Sequence, residues 1–301
     1  MTTKFDVSQV SIVIASVGRD SLNRVISEID AWPRNPDIII VSLPSNGCVD
    51  LAFIPTTRVC FFRASSRGQV LQRVEAFKRA SSRFVLQLDD DISIDYESII
   101  KLGETLLLDR KCAVGTKIRY DNQKDGVSKQ QSSYRALIQR IERTIIGSNS
   151  KHFSPGKDTL SGVPIFPNSA NFPFELLDVD YVSGGAMLHY RKNLILQNYF
   201  SFEGRADYED LFHCLALRKS GVRVVFRMTE GVIHERILKP FRQSFSNIFL
   251  RAYTILGRYN ELSGRRNIRL CFWLIFLGVS LIVNSFVTLL VRSRALLRNK
   301  I

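Results

Sequence analysis

Arg83-Phe84-Val85-Leu86-Gln87-Leu88-Asp89-Asp90-Asp91 is a short apolar run that ends in three consecutive carboxylates. Phe, Val and two Leu within six residues suit a strand buried on both faces, as in a parallel sheet covered by helices. In open α/β sheets the ligand crevice lies outside the carboxyl ends of the strands, so Asp89 to Asp91 are expected at a site. Three adjacent negative charges repel and favour a cation between them. Successive strand side chains point to opposite faces, which lets Asp89 and Asp91 share one side as an Asp-x-Asp clamp while Asp90 faces the other. Hard oxygen ligands suit Mg²⁺ or Mn²⁺, and Mg²⁺ is typically held by one or two carboxylates plus substrate phosphates. The same acids would also suit a solvated turn capping the next helix, since N-caps favour Asp.

Upstream, Val10 to Val17 reads as a first buried strand, and Gly18-Arg19-Asp20-Ser21 supplies turn and N-cap chemistry for a helix to about Trp32, closed by Pro33 and Pro36. Strands follow at 37–42 and 58–62, separated by a Pro/Ser/Asn/Gly loop. Arg67-Gly68-Gln69-Val70-Leu71-Gln72-Arg73 then opens a helix with Val70, Val74, Phe77 and Ala80 at helical spacing, which delivers the chain into the acidic strand. This order is Rossmann-like.

Downstream, a helix is expected from Tyr96 to about Leu108 and a strand from about Cys112 to Tyr120. Residues 121–170 are polar and basic, with one helix-like patch around 134–146; so long a connection is more often functional than merely structural. Val179 to Tyr190 reads as a strand interrupted by Gly184-Gly185, and glycine in a strand often marks close backbone approach by a ligand. A helix over 208–220 carries Glu209 and Asp210 in its first turn, where the helix dipole favours carboxylates. A strand at 222–226 precedes His234 and Arg236.

The chain has 301 residues, a formal charge of +14 and five cysteines without paired spacing. That spacing argues against a disulfide framework and a zinc site, and points to a reducing cytosol. The N-terminus lacks the apolar core of a signal peptide, so the main domain is expected to stay in the cytoplasm. The positive excess implies acidic partners. Phe241 to Leu262 alternates apolar positions and arginines in the manner of an interfacial helix. Cys271 to Val291 is apolar apart from Ser280, Asn284, Ser285 and Thr288, a length that matches the roughly 20 residues of a membrane span. Arginines flank both ends, so the segment is compatible with a tilted span, a re-entrant hairpin or an interfacial helix. The basic residues cluster beside it, which favours membrane lipid over nucleic acid as the partner.

The run from Arg67-Gly68 through Arg73, the strand ending in Asp89-Asp90-Asp91, and the opening strand with Arg19 resemble the signature of family 2 glycosyltransferases of the GT-A fold, bacterial cell-surface polysaccharide type. The resemblance covers residues 10 to about 260 and rests on several motifs in order. It implies an α/β fold with a Rossmann-like, mostly parallel mixed sheet and helices on both faces, plus a C-terminal membrane-associated helical segment. It also implies an inverting enzyme that moves a sugar from a nucleotide diphosphate to an acceptor hydroxyl. On that resemblance Asp89 and Asp91, with His234, would hold the divalent ion. Arg19, Arg67, Gly68, Arg73, Asp89 and Asp90 would face the donor, with Asp90 on ribose or the donor sugar. Gly184 and Gly185 would lie beside the acceptor, and Glu209-Asp210 would supply the base, Asp210 foremost. Two departures stand out. The second strand ends in Val41-Ser42-Leu43-Pro44, where many members carry an Asp that reads the nucleobase, and no Gln-x-x-Arg-Trp motif of processive synthases is present.

The sequence thus leads to a catalytic domain over 1–240, an amphipathic interfacial helix over 241–264 and an apolar membrane segment with basic flanks over 265–301. The expected partners are a nucleotide-sugar donor, a glycan or polyprenyl-linked acceptor and membrane lipid, at the cytoplasmic face of the inner membrane. Two other readings compete. A nucleotidyltransferase would need a glycine-rich, Lys/Arg-bearing loop after the first strand, where only Gly18-Arg19 stands. A non-catalytic basic membrane-binding module would leave the acidic strand end structural.

Overall fold

A computed structural model of the chain describes residues 4–47, 51–65, 68–120, 133–147, 156–165, 175–202, 206–234 and 245–280. Arg67, Arg236 and the second half of the 271–291 segment lie outside the described residues. The chain forms two compact units. One comprises Met1–Val127, Pro155–Lys157 and Ile165–Pro240, and the other Ser128–Ser154, Asp158–Pro164 and Phe241–Ile301.

In the first unit the described elements run β1 (Val10–Ala15), α1 (Ser21–Asp30), β2 (Ile38–Leu43), β3 (Val59–Arg63), α2 (Gln69–Arg79), β4 (Phe84–Asp89), β5 (Ile92–Ile94), α3 (Tyr96–Leu108), β6 (Cys112–Thr116) and β7 (Arg119–Tyr120). The second unit interposes α4 (Ser133–Ile146). The first then resumes with β8 (Leu176–Val179), β9 (Ala186–Tyr190), α5 (Glu209–Lys219), β10 (Arg223–Arg227) and β11 (Val232–His234). Eight strands make one sheet in the order β3-β2-β1-β4-β9-β6-β10-β8, and β5-β11-β7 make a small second sheet.

Every pair from β3 to β4 is parallel, and β6 pairs parallel with β10. β9 lies antiparallel between β4 and β6, and β8 closes the edge antiparallel to β10. The central strands read as unbroken apolar runs because both faces are covered. Val10, Ile12, Ile14, Leu86 and Leu88 pack in one core with Leu22, Ile26 and Ile29 of α1 and Leu102 and Leu106 of α3. Val13, Ile40 and Val85 face the opposite core with Ala76 and Phe77 of α2.

Two expected strands are divided. The run near 112–120 splits into β6 in the large sheet and β7 in the small one. The run 179–190 breaks so that Gly184 and Gly185 form a turn leading into β9. In the first case an extended pattern is present but its pairing partners are distant in sequence, so no local period marks the break; in the second the glycines expected to interrupt the strand mark it. The helix expected over 96–108 is α3, capped by Asp95, whose carboxylate accepts from the Ser98 amide at 2.7 Å.

In the second unit, Asp158 accepts from Tyr259 and, at 2.7 Å, from Arg265, joining α6 (Phe245–Leu262) to the turn before it in sequence. Asn260 Nδ2 donates to the Ser161 carbonyl at 2.8 Å, and Trp273 Nε1 to Glu142 at 3.2 Å. Residues 268–280 are helical. Among the described residues no helix is long and apolar enough to cross a membrane.

Gly103 on α3 gives a direct stability test, because a Cβ there would overlap the Phe5 ring. Alanine improves helix propensity by about 1 kcal/mol over glycine, whereas overpacking a close-packed core costs about 1–3 kcal/mol. Gly103→Ala should therefore lower the urea midpoint, and an unchanged or higher midpoint would show that Phe5 yields freely.

Candidate active site

The parallel topology sets Ala15, Leu43 and Asp89 at one edge of the sheet, since β1 and β4 end in register at Ala15 and Asp89. β9 runs the other way, so its beginning meets the end of β4. The Asp89 amide donates to the Gly185 carbonyl at 2.9 Å, and Gln87 Nε2 donates to the Gly184 carbonyl. A loop then sends the chain to α5, whose first turn presents Glu209 and Asp210.

The centre of the site is Arg73 of α2, 1 % exposed. Its Nη1 donates to Glu209 Oε1 at 2.6 Å and its Nη2 to Asp89 Oδ1 at 3.0 Å. Tyr199 extends the network: its hydroxyl accepts from Arg73 at 3.3 Å and donates to Glu209 Oε2 at 3.3 Å. Gln69 Nε2 adds a bond to Asp89 Oδ1 at 3.2 Å. Arg73, expected on the donor, thus spends its guanidinium on two of the site's own carboxylates. One cation serves three acids, because Asp210 has Glu209 and Asp89 as neighbours.

Burial, followed by repulsion from Glu209 and Asp89, holds Asp210 well above the usual carboxylate range, against a hydrogen bond from the Gly184 amide. Asp89 is pushed up to about 6, by burial first and then by Glu209, Asp91 and Asp90, while Arg73 pulls the other way. The pair of glycines is a steric requirement of this cluster. A Cβ on Gly184 would lie 3.0 Å from Asp210 Oδ1 and 3.2 Å from Glu209 Oε1, and one on Gly185 would overlap Ile92 and approach Asp89 Oδ2 to 3.4 Å. The close approach expected at these glycines is made by the protein's own carboxylates. Tyr208, just before Glu209, has φ 63° in the left-handed region, a strain of about 1–3 kcal/mol for a non-glycine residue. It sets the entry angle of α5.

Asp90 and Asp91 occupy the turn after β4 and have other partners. Ser16 Oγ donates to Asp90 Oδ2 at 2.6 Å. Arg19 Nη1 reaches Asp90 Oδ1 at 3.4 Å and Asp91 Oδ2 at 3.1 Å. The small sheet sets His234 opposite Ile92, and its Nε2 lies 3.6 Å from Asp91 Oδ1. Of the three residues expected around a metal, Asp91 and His234 come together, while Asp89 is tied to Arg73. Among the described residues no group of three His, Cys, Asp or Glu side chains is gathered as a metal cluster. One or two protein ligands suffice for an ion that also binds substrate phosphates. Asp91 with His234 beside it would supply those ligands, its second oxygen being paired with Arg19. Gly68, at the start of α2, has φ 144°, a conformation open to glycine.

Several participants carried no sequence signal. Tyr199 lies in a loop, and Ser16 is an ordinary strand-end serine. Beneath Arg73 lie His189 and His213, both fully buried, with ring centroids 5.4 Å apart and His213 stacked on Tyr199 at 4.7 Å. Burial first, then the Arg73 charge, lowers His189 to about 3, so this pair is an uncharged floor. Gln72 Nε2 ties the chain after β1 to β2 by donating to the Ser16 and Ser42 carbonyls at 3.0 Å each. A separate cavity of about 350 Å³, lined by Lys157, Asp180, Arg218 and Arg223 among others, opens at the amino end of β10, the opposite edge of the sheet.

No protein-family model matches the sequence, and no curated protein matches it. Among solved structures the chain is similar to GalNAc-T7 with UDP, GalNAc and Mn²⁺, at 14 % identity and TM-score 0.49 over 83 % of this chain and 49 % of that one. It is similar also to S. aureus TarS 1-349 in complex with UDP-GlcNAc, at 10 % identity and TM-score 0.49 over 84 % of this chain and 70 % of that one. This chain spans about half the length of the first.

Asp89 takes up a proton on folding between about pH 4 and 6, so its contribution favours the folded state at the acid end and is lost as pH rises through 6. The stability of wild type relative to Asp89→Asn should therefore fall with rising pH across that window, by at most roughly 1.4 kcal/mol per pH unit. Urea unfolding at stepped pH measures this, and a difference independent of pH would show that Asp89 is charged throughout.

Proposed function

We propose that this chain is a family 2-like inverting glycosyltransferase that moves a sugar from a nucleotide-diphosphate sugar to a hydroxyl of a glycan or lipid-linked acceptor in surface-polysaccharide synthesis. The observation that carries the reading is the meeting of Asp89, Glu209 and Asp210 around one buried arginine at the carboxyl edge of the sheet. That edge is where ligands of open α/β sheets bind. A merely structural strand end has no need of three carboxylates, Glu209 buried and Asp89 and Asp210 half-buried, sharing one cation, an arrangement that raises rather than relieves electrostatic cost.

Asp210 is the base. Its charged form is disfavoured by burial and by two neighbouring acids, so it is disposed to take a proton from the acceptor hydroxyl. As that O–H bond breaks, the oxygen attacks the anomeric carbon from the face opposite the leaving group. The bond from that carbon to the phosphate oxygen breaks, and the nucleoside diphosphate departs with its electron pair. Glu209 stays paired to Arg73 and holds the first turn of α5 in place. Asp91 and His234 would hold Mg²⁺ or Mn²⁺, with Asp89 nearby. The ion would neutralise charge on the leaving diphosphate. Asp90, Gly68 and Arg67 are assigned to the donor side.

Attachment to the cytoplasmic face of a membrane belongs to the same reading. In the second unit Ile268, Phe272, Ile275 and Val279 recur along one helical stripe and are exposed, 59 % and 64 % for Phe272 and Ile275. The exposed Arg266 and Arg269 adjoin its start, a pairing of apolar ridge and basic flank that suits an anionic bilayer surface.

With Mn²⁺, the full chain should transfer or hydrolyse one donor from a panel of UDP-, GDP- and dTDP-sugars, giving a product of inverted anomeric configuration by NMR. Asp210→Asn should lower kcat by about 10²–10⁴-fold while donor binding persists. Absence of binding heat across the whole panel would favour a non-catalytic module instead. For the membrane, the full chain should float with anionic vesicles and a chain lacking 265–301 should not; equal flotation would place the anchor elsewhere.

A further inference from the structure

Arg19 stands in contact with the acidic turn from which a divalent ion would be held. Its Nη1 is 3.1 Å from Asp91 Oδ2 and 3.4 Å from Asp90 Oδ1, while the other oxygen of Asp91 faces His234. The contact is built into the turn after β1. The Gly18 amide donates to Ser16 Oγ at 2.9 Å, and the same hydroxyl donates to Asp90 at 2.6 Å, so the root of Arg19 and its carboxylate partner share one anchor. Gly18 has φ 84°, which lets the chain turn back at that point. The Arg19 side chain is 42 % exposed, and an ion pair of that kind is weak. It is therefore able to leave. A planar guanidinium also matches a diphosphate better than a single carboxylate oxygen.

We infer that Arg19 is an exchangeable counter-cation: it neutralises Asp91 and opposes metal binding until a diphosphate draws it away. A divalent ion on Asp91 and a guanidinium on the same carboxylate would repel, so the two occupy the position in turn. By linkage, metal and diphosphate then raise one another's affinity, with Arg19 as the coupling element. The inference rests on the metal-dependent reading above. It adds that the donor's diphosphate, besides contributing ligands, removes an internal competitor.

The test uses the full chain and Mn²⁺ alone, without nucleotide, with bound ion read from the loss of the free Mn²⁺ EPR signal. Arg19→Gln should bind Mn²⁺ roughly two- to fivefold more tightly than wild type, the range over which a weak, half-exposed ion pair can compete. Arg19→Lys, which keeps the charge, should stay close to wild type, and Asp91→Asn should abolish the gain in the Arg19→Gln background. With inorganic pyrophosphate as a base-free diphosphate, the enhancement of Mn²⁺ binding should be smaller in Arg19→Gln than in wild type. Equal Mn²⁺ affinity in wild type and Arg19→Gln, both dependent on Asp91, would overturn the inference and leave the metal reading standing. No Mn²⁺ binding in either protein, alongside donor turnover that survives EDTA, would overturn both.

Discussion

The buried guanidinium of Arg73 bridges the end of β4 to the first turn of α5, and the rest of the site depends on it. Without it Asp89 and Glu209 would face each other, with Asp210 close by and Glu209 itself buried from water. With one positive charge among three acids, the cluster is only partly compensated, which is why burial and mutual repulsion lift Asp89 and Asp210 out of the ordinary carboxylate range. A fully compensated site would be more stable and chemically inert, since every carboxylate would be locked in its ionised form. The shortfall of two cations leaves carboxyl groups whose protonated form is favoured.

Holding that cluster together requires β9 to run against its neighbours. An all-parallel sheet would place another strand's carboxyl end beside Asp89, whereas the antiparallel strand begins there, and its lead-in turn can be glycine. Gly184 and Gly185 then bring backbone rather than side chain against the acids, and the Gly184 amide faces Asp210. The small sheet does comparable work on the other side of the turn, where strands of two and three residues suffice to bring His234 to Asp91. The uncharged pair of His189 and His213 below Arg73 keeps a second cation from the cluster, because burial and Arg73 itself disfavour their protonation.

Much of the framework was legible in the chain. The apolar runs of β1, β2 and β4, the helical spacing of α2, the span of α3 and the acidic first turn of α5 are local patterns, and local patterns survive folding when the environment agrees with them. The gathering of acids at the strand end was legible for the same reason: three carboxylates where a buried strand emerges follow from topology and charge alone. Their separate duties were not. The alternation of side chains along an ideal strand pairs Asp89 with Asp91, but the strand ends at Asp89, so the next two acids follow the turn and take Ser16, Arg19 and His234 as partners.

Local patterns along the chain set the α/β framework, the sheet edge that gathers the acids, and the residue types available there. Which acids share Arg73, that Gly184 and Gly185 lie at a turn against Asp210, and that Arg19 sits on Asp91 depend on the folded arrangement. The difference is one of range. Strand, helix and cap are set by forces between residues a few positions apart, whereas Arg73 meets Glu209 across 136 positions and Arg19 meets Asp91 across 72. Those meetings depend on sheet order and strand direction, neither of which leaves a period in the chain.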